Sequence, residues 1–156
     1  MDWCMETLVR RLGRIFTKKK QDGNPQAEAG SSRKMQRLEQ NLSRWVDEKK
    51  WRDPVPTLTE AAESLDTDSA TLYHYFEQRY GLDFRTWRTR CRIEDAMQLM
   101  REEPETAVST IARRVGFSDR SNFSRQFARH TGQTPAQWRK EAGISHDIPA
   151  PENDYV

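Results

Sequence analysis

Five positions of this 156-residue chain each have an identical or similarly apolar counterpart 51 positions later. The pairs are Leu72 with Phe123, Phe76 with Phe127, Gly81 with Gly132, Trp87 with Trp138, and Arg88 with Arg139. Ahead of them the spacing is 50, since Ala62 pairs with Ala112, so one turn is a residue longer in the second copy. A repeat this regular predicts that the same small structural unit occurs twice.

Each copy has the pattern of a short helix, a turn and a longer helix. The sequence TLTE at 57–60 is a capping-box pattern, Asp68 has N-cap chemistry, and Gly81 marks a helix end. The second copy has Gly116 in its turn and opens its last helix at Pro135. Two helices joined by a turn of about four residues form a helix-turn-helix. A plain helical bundle with similar loops is the alternative.

Apolar residues spaced three and four apart predict an all-α fold for residues 35–143. The two helix-turn-helix patterns within it make that fold homeodomain-like. The two helix-turn-helix subdomains are expected at about 35–82 and 107–143, joined by a long linker helix at about 83–103 that ends before Pro104. The first apolar stripe comprises Met35, Leu38, Leu42, Trp45 and Val46.

The two ends of the chain differ from this helical region. Within the N-terminal segment 1–34, residues 3–20 predict a basic amphipathic helix, and residues 21–32 have the composition of a linker. Residues 144–156 contain no Lys or Arg and predict a disordered acidic tail. Three roles stay open for 3–20: pairing as a homodimer or with a partner protein, a basic arm on DNA, and, least favoured, contact with a membrane surface.

Several classes of protein are disfavoured by composition. There is no apolar run of about 18 residues to span a membrane, and arginines interrupt the N-terminal apolar residues, so no secretory signal is expected. Cys4 and Cys91 lack metal-ligand spacing and the three histidines are scattered, which predicts no metal, no cofactor and no enzyme. Two thiols favour a reducing, cytoplasmic location. About 35 residues before the repeat are too few for a ligand-binding sensor domain.

The formal net charge of +2 hides a strong segregation of charge. Residues 1–35 carry +4, residues 36–106 carry −4, residues 107–143 carry +5 and residues 144–156 carry −3. Positive charge is therefore concentrated in the second copy and at the N-terminus. This near-balance does not exclude nucleic acid, and it points to the second copy as the binding half.

The second helix of the second copy has an outward face suited to DNA. With its two phenylalanines inward, a turn of 100° per residue places Ser121, Arg125 and Arg129 outward and Asn122 at the edge. Arginine can bind guanine bidentately, asparagine can bind adenine, and serine adapts to either base. These residues predict a helix that enters the major groove. A solvated polar face is the alternative.

The equivalent helix of the first copy is less suited to DNA. Ala70, His74 and Glu77 lie outward, and Tyr73 projects sideways. No Lys or Arg reaches this face, and both Asp68 and Glu77 would lie near the phosphates, where negative charge is unfavourable.

The sequence IARRVGFSDRSNFSRQFARHTGQTPAQWRK, at 111–140, resembles the signature of the C-terminal DNA-binding domain of AraC/XylS-type transcription regulators. Residues 70–100 resemble the first subdomain and linker helix of the same family, and the resemblance covers about residues 39–141. It implies two recognition helices in adjacent major grooves of double-stranded DNA. The implied base-contacting positions are Ser121, Asn122 and Arg125 in the second copy, and Ala70, Tyr73 and His74 in the first.

The resemblance implies a bacterial-type, sequence-specific transcription regulator that contacts DNA and RNA polymerase. The chain departs from the family at Asp66, where the first turn usually has glycine, and in the acidic character of its first copy. The alternative function is a protein-interaction module that retains the fold with weak or lost DNA binding.

Overall fold

The protein is described by a computed structural model over residues 25–53 and 57–144. These ranges are entirely helical, which confirms the predicted fold class. The helices are α1 (Pro25–Asp47), a 3-10 helix (Lys50–Arg52), α2 (Leu58–Ser64), α3 (Ser69–Tyr80), α4 (Phe84–Glu102), α5 (Val108–Arg114), α6 (Arg120–Thr131) and α7 (Pro135–Glu141). No helix in these ranges has the length and apolarity to cross a bilayer. The helix predicted at 3–20 and the tail from residue 145 lie outside them.

The structure confirms the internal repeat helix by helix. Helices α2 and α5 have seven residues each and begin 50 positions apart, whereas α3 and α6 have twelve each and begin 51 positions apart. Asp68 and Asp119 are the N-caps of α3 and α6, and Gly81 and Gly132 end both helices in the left-handed conformation. The extra residue of the second copy therefore lies in its turn, as predicted.

The chain forms two compact units. The first contains α1, α2, α3 and the start of α4 up to Trp87, and the second contains Arg52, Asp53 and the chain from Arg88 onward. Aromatic side chains fill much of the first core, where Phe76 lies 4.9 Å from Trp87 between ring centroids. The other rings of this cluster are Trp45, Tyr75, Tyr80 and Phe84.

The core of the second unit joins α4, α5 and α6. Its members are Ile93, Ala96, Leu99, Met100, Ile111, Ala112, Val115, Phe117, Phe123 and Phe127, with Met97, Val108 and Trp138 packed against them. These positions follow the three- and four-residue spacing of the sequence, so most of this core is predictable from periodicity.

Two sequence predictions about α1 are wrong. The helix begins at Pro25, so the described part of the predicted linker 21–32 is helical. Proline is favoured in a first helical turn, and the Gln-Ala-Glu-Ala run that follows has high helix propensity, which outweighs the linker-like glycine and serines. Met35, predicted to be in the apolar stripe, is exposed, and between residues 32 and 47 the first buried residue is Leu38.

Each turn of the repeat has a residue with a positive φ at the equivalent position, although the residue types differ. Asp66 has a φ of 55° and the equivalent Gly116 has a φ of 94°, both in the left-handed region. The side chain of Asp66 points to solvent and accepts a hydrogen bond of 2.9 Å from Arg37. Aspartate tolerates this conformation better than most residues. The departure from the family glycine therefore leaves the turn intact.

Replacing Asp66 with glycine is expected to change the free energy of unfolding by less than about 1 kcal/mol. Glycine relieves the strain of the left-handed backbone, but it also raises the conformational entropy of the unfolded chain, and the two effects nearly cancel. The exposed ion pair with Arg37 contributes little to stability. Urea denaturation measures this difference. Asp66→Ala, which keeps the Cβ and loses the carboxylate, is the control and should be the less stable variant. A loss above about 2 kcal/mol for the glycine variant would show that the carboxylate holds the turn.

Candidate nucleic-acid interface

The orientation of α6 is fixed by two buried phenylalanines. Phe123 and Phe127 have no exposed surface. Phe123 packs edge-on against Phe117 at 5.2 Å, and Phe127 packs edge-on against Trp138 at 6.0 Å between ring centroids. Because both rings are held by neighbouring aromatic side chains, the opposite face of α6 is turned outward.

That opposite face carries the predicted recognition residues. Ser121, Asn122, Arg125 and Arg129 are all exposed, and they follow one another along α6. At 100° per residue, Arg125 lies directly opposite the midpoint between the two buried phenylalanines. The structure brings the four side chains onto one surface, which we call the α6 face. Their contact with DNA bases stays a prediction.

The beginning of α6 is capped by a charged side chain. The carboxylate of Asp119 accepts hydrogen bonds from the backbone N–H groups of Ser121, at 3.0 Å, and Asn122, at 2.9 Å. These two hydrogen bonds, together with the nearby Arg125 guanidinium, hold the pKa of Asp119 below its usual value. The cap is therefore ionised at neutral pH, and the backbone N–H groups of Ser121 and Asn122 already have an acceptor.

The repeat residue Arg139 has a structural role. It is buried, and its guanidinium donates a hydrogen bond of 2.5 Å to the carbonyl oxygen of Thr106. Burial lowers the pKa of Arg139, and the charge of Glu105 opposes that shift. On the preceding residue, Trp138, the guanidinium of Arg101 lies 5.0 Å from the ring centroid. These contacts hold α7 against α4 and against the loop that precedes α5.

The turn before α6 is supported by buried charged groups. Arg52 donates from Nε and Nη2 to the two carboxylate oxygens of Asp95, at 2.5 and 2.7 Å. Arg92 donates to the carbonyl oxygen of Asp53 at 2.5 Å and lies 5.6 Å from the centroid of the Phe117 ring. Burial, aided by repulsion from Arg88, lowers the pKa of Arg92 to about 10.

The α3 face of the first unit has the composition that the sequence predicts. Ala70, Tyr73 and His74 are exposed, and the two rings meet edge-on at 5.5 Å between centroids. Asp68 accepts from the hydroxyl of Thr71 at 2.7 Å and from its backbone N–H at 2.8 Å, and these bonds lower the pKa of Asp68. This face therefore presents an ionised carboxylate and no Lys or Arg on its outward positions.

Two further cations lie close to the α6 face in sequence. Arg120 is the first residue of α6 and is exposed, although helical phase directs that position toward the core. Arg113, in the last turn of α5, is also exposed. Neither was singled out from the sequence. Both arginines lie at a helix end, where the spacing of apolar and polar residues is a poor guide to which side chains are exposed.

Comparison with known proteins agrees with this geometry. The family described as "Helix-turn-helix domain" matches residues 61–141, more than half of the chain. The chain is 39% identical over 69 residues to the "Uncharacterized transcriptional regulatory protein YesN" of Bacillus subtilis, covering 44% of this chain and 19% of that protein. It is 32% identical over 82 residues to the "Arabinose operon regulatory protein" of Escherichia coli, covering 53% of this chain and 28% of that protein. The chain thus spans less than a third of either curated relative.

A solved structure has a similar fold. The C-terminal domain of the two-component response regulator yesN from Fusobacterium nucleatum superposes with a TM-score of 0.56 at 30% identity, covering 64% of this chain and 96% of that one. These matches agree with the duplicated helix-turn-helix and with the aromatic support of α6. The chain belongs to the AraC-type family of helix-turn-helix transcription regulators.

Proposed function

We propose that this chain is a sequence-specific DNA-binding transcription regulator of the cytoplasm, and that α6 is its main major-groove recognition helix. The observation that carries the proposal is the α6 face, where Ser121, Asn122, Arg125 and Arg129 are exposed on one side of a helix whose other side is held by buried rings. A rigid helix presents such side chains in a defined register along base edges.

Arg125 has the central position in this proposal. Its guanidinium can donate two parallel hydrogen bonds to O6 and N7 of one guanine, while the Asn122 amide can both donate to and accept from an adenine. Arg129, one turn further along α6, and Arg120, at its start, would contact phosphates and position the helix without selecting a base.

Arg125→Ala is expected to weaken specific binding by about 1–3 kcal/mol and to relax the preference at one base pair. Selection of binding sites from random double-stranded DNA by the full chain, followed by titration of the selected site, measures both effects.

Arg125→Lys is the matched control. It keeps the positive charge and loses the bidentate geometry, so it should lose base preference while retaining the salt dependence of binding. Circular dichroism checks that α6 still folds. If Arg125→Ala binds the selected site with unchanged affinity and preference, another helix recognises the bases.

The composition of the α3 face favours a second candidate function. Tyr73 and His74 are exposed beside the ionised Asp68, with no cation among the outward positions of this helix. A protein-interaction module that has lost DNA binding would use such a face, without cations, to contact another protein. A salt series separates the two functions, because DNA binding falls steeply with added salt. Absence of binding to any duplex at low salt would favour the interaction module.

The remaining partners are extensions of this proposal. A regulator bound at a promoter would contact RNA polymerase, and pairing of two chains through residues 3–20 would place two such domains on one site. Residues 3–20 lie outside the described ranges, so this pairing depends on the sequence pattern alone. Analytical ultracentrifugation of the full chain tests it.

A further inference from the structure

Three exposed arginines form a line along α1. Arg33, Arg37 and Arg44 lie within about 40° of one another at 100° per residue, on the side of the helix roughly opposite Leu38 and Leu42. We call this line the arginine stripe. All three residues are exposed, whereas the two leucines are buried. The arginines therefore place a row of positive charge on the outer side of α1, with the exposed Asp47 near its C-terminal end.

The arginine stripe lies beside the turn that begins α3. Arg37 donates a hydrogen bond of 2.9 Å to the carboxylate of Asp66, the turn residue with positive φ. One turn of α1 further on, the side-chain amide of Asn41 donates to the carbonyl oxygen of Leu65 at 2.9 Å. These two contacts fix α1 against the helix-turn-helix of the first unit, so the stripe has a definite position within that unit.

The charges of the stripe are available to a polyanion. Of its three arginines, only Arg37 has an acidic ion-pair partner among the described side chains, and that pair is exposed to solvent. Arg33 and Arg44 are separated by about 16 Å along the helix axis, at 1.5 Å per residue. Phosphates of one DNA strand are spaced about 3.4 Å along the duplex axis, so the stripe matches a run of about five phosphates.

We infer that the arginine stripe of α1 is a second, sequence-independent DNA contact, which binds the phosphate backbone and holds the acidic first unit on the duplex. The inference rests on the proposed DNA-binding function. Charge complementarity with a polyanion carries it, and the exposed Arg33 and Arg44 supply the contacts. The α3 face offers no cation for this purpose, so the first unit would otherwise meet the phosphates with Asp68 and Glu77.

The test is the salt dependence of DNA binding by the variant Arg33→Gln/Arg44→Gln. Arg37 is left in place, so its bond to Asp66 is retained. The matched control is Lys49→Gln/Lys50→Gln, which removes two exposed positive charges from the same unit after the end of α1. Affinity is measured by fluorescence anisotropy for the selected site and for an unrelated duplex, from about 50 to 200 mM salt.

For Arg33→Gln/Arg44→Gln, we expect the slope of log affinity against log salt to fall by about two, and affinity at about 0.1 M salt to fall by about tenfold or more. The loss should be equal for the selected site and the unrelated duplex, because phosphate contacts carry no sequence preference. The control should keep the wild-type slope.

A wild-type slope in Arg33→Gln/Arg44→Gln would overturn the inference while leaving the proposed function standing. If that variant also loses the binding to phosphatidylglycerol vesicles that the wild-type chain shows, the stripe is assigned to an anionic membrane surface. If the wild-type chain binds neither duplex at low salt, the proposed function fails and the stripe has no role on DNA. Circular dichroism verifies that the variants are folded.

Discussion

Gly116→Ala is expected to lower the free energy of unfolding by about 2–5 kcal/mol. Two costs add at this position. Gly116 has a φ of 94°, where an L-residue is strained. A Cβ there would also collide with the carbonyl oxygen of Arg52 and lie 2.9 Å from the guanidinium carbon of Arg92. The first neighbour is a backbone atom and the second belongs to a buried side chain, so moving either one aside costs further free energy.

Gly132→Ala is the matched control, since it separates strain from collision. Gly132 has a φ of 81°, and a Cβ there would meet nothing within 4 Å. Its replacement should cost only the left-handed backbone strain, about 1–2 kcal/mol. Urea denaturation of both variants measures the difference. Equal losses would mean that the backbone of Arg52 moves away freely and that the close approach at Gly116 has no energetic weight.

Asp95→Ala is expected to destabilise the protein by about 2–3 kcal/mol. The Asp95 carboxylate is 7% exposed and accepts two hydrogen bonds from Arg52, so its removal leaves a guanidinium partly buried without its counter-charge. The Arg52 side chain is 29% exposed and can regain some water, which places the loss at or below the lower end of the range of about 3–5 kcal/mol for buried pairs.

The control for Asp95→Ala is a pair of similar geometry at the surface. Glu103 accepts from both terminal nitrogens of Arg114, at 2.5 and 2.8 Å, and both side chains are more than a third exposed. Glu103→Ala should cause little change in thermal stability, because solvent screens such pairs. If the two substitutions are equally costly, the buried position of Asp95 does not explain its effect.

The parts of this fold that were predictable from sequence are the local ones. The N-cap at Asp68, the glycine end of α3 and the capping box at 57–60 each involve residues at most four positions apart, and all are present. The α6 face was equally predictable, because the phase of two inward phenylalanines determines the outward positions of a regular helix.

The charged groups beneath the turn were not predictable in the same way. Arg52 and Asp95 are 43 positions apart, and Arg92 reaches the backbone of Asp53 over 39. An arginine and an aspartate in a highly charged sequence have many conceivable partners, and local periodicity does not select among them. The start of α1 is hard to predict for a different reason, since the glycine and serines of 21–32 are typical of a linker although their neighbours have high helix propensity.

The pairing of Arg52 with Asp95 means that the second unit is assembled from two separate stretches of chain. A fragment that begins at Arg88 would contain α5, α6 and α7 but would lack the segment that carries Arg52 and Asp53. In such a fragment Asp95 would have no counter-charge from Arg52, and Arg92 would lose its carbonyl acceptor. We therefore expect the half that carries α6, the proposed recognition helix, to lose stability when it is isolated by a single cut before Arg88, and to regain it when residues 52–53 remain covalently attached.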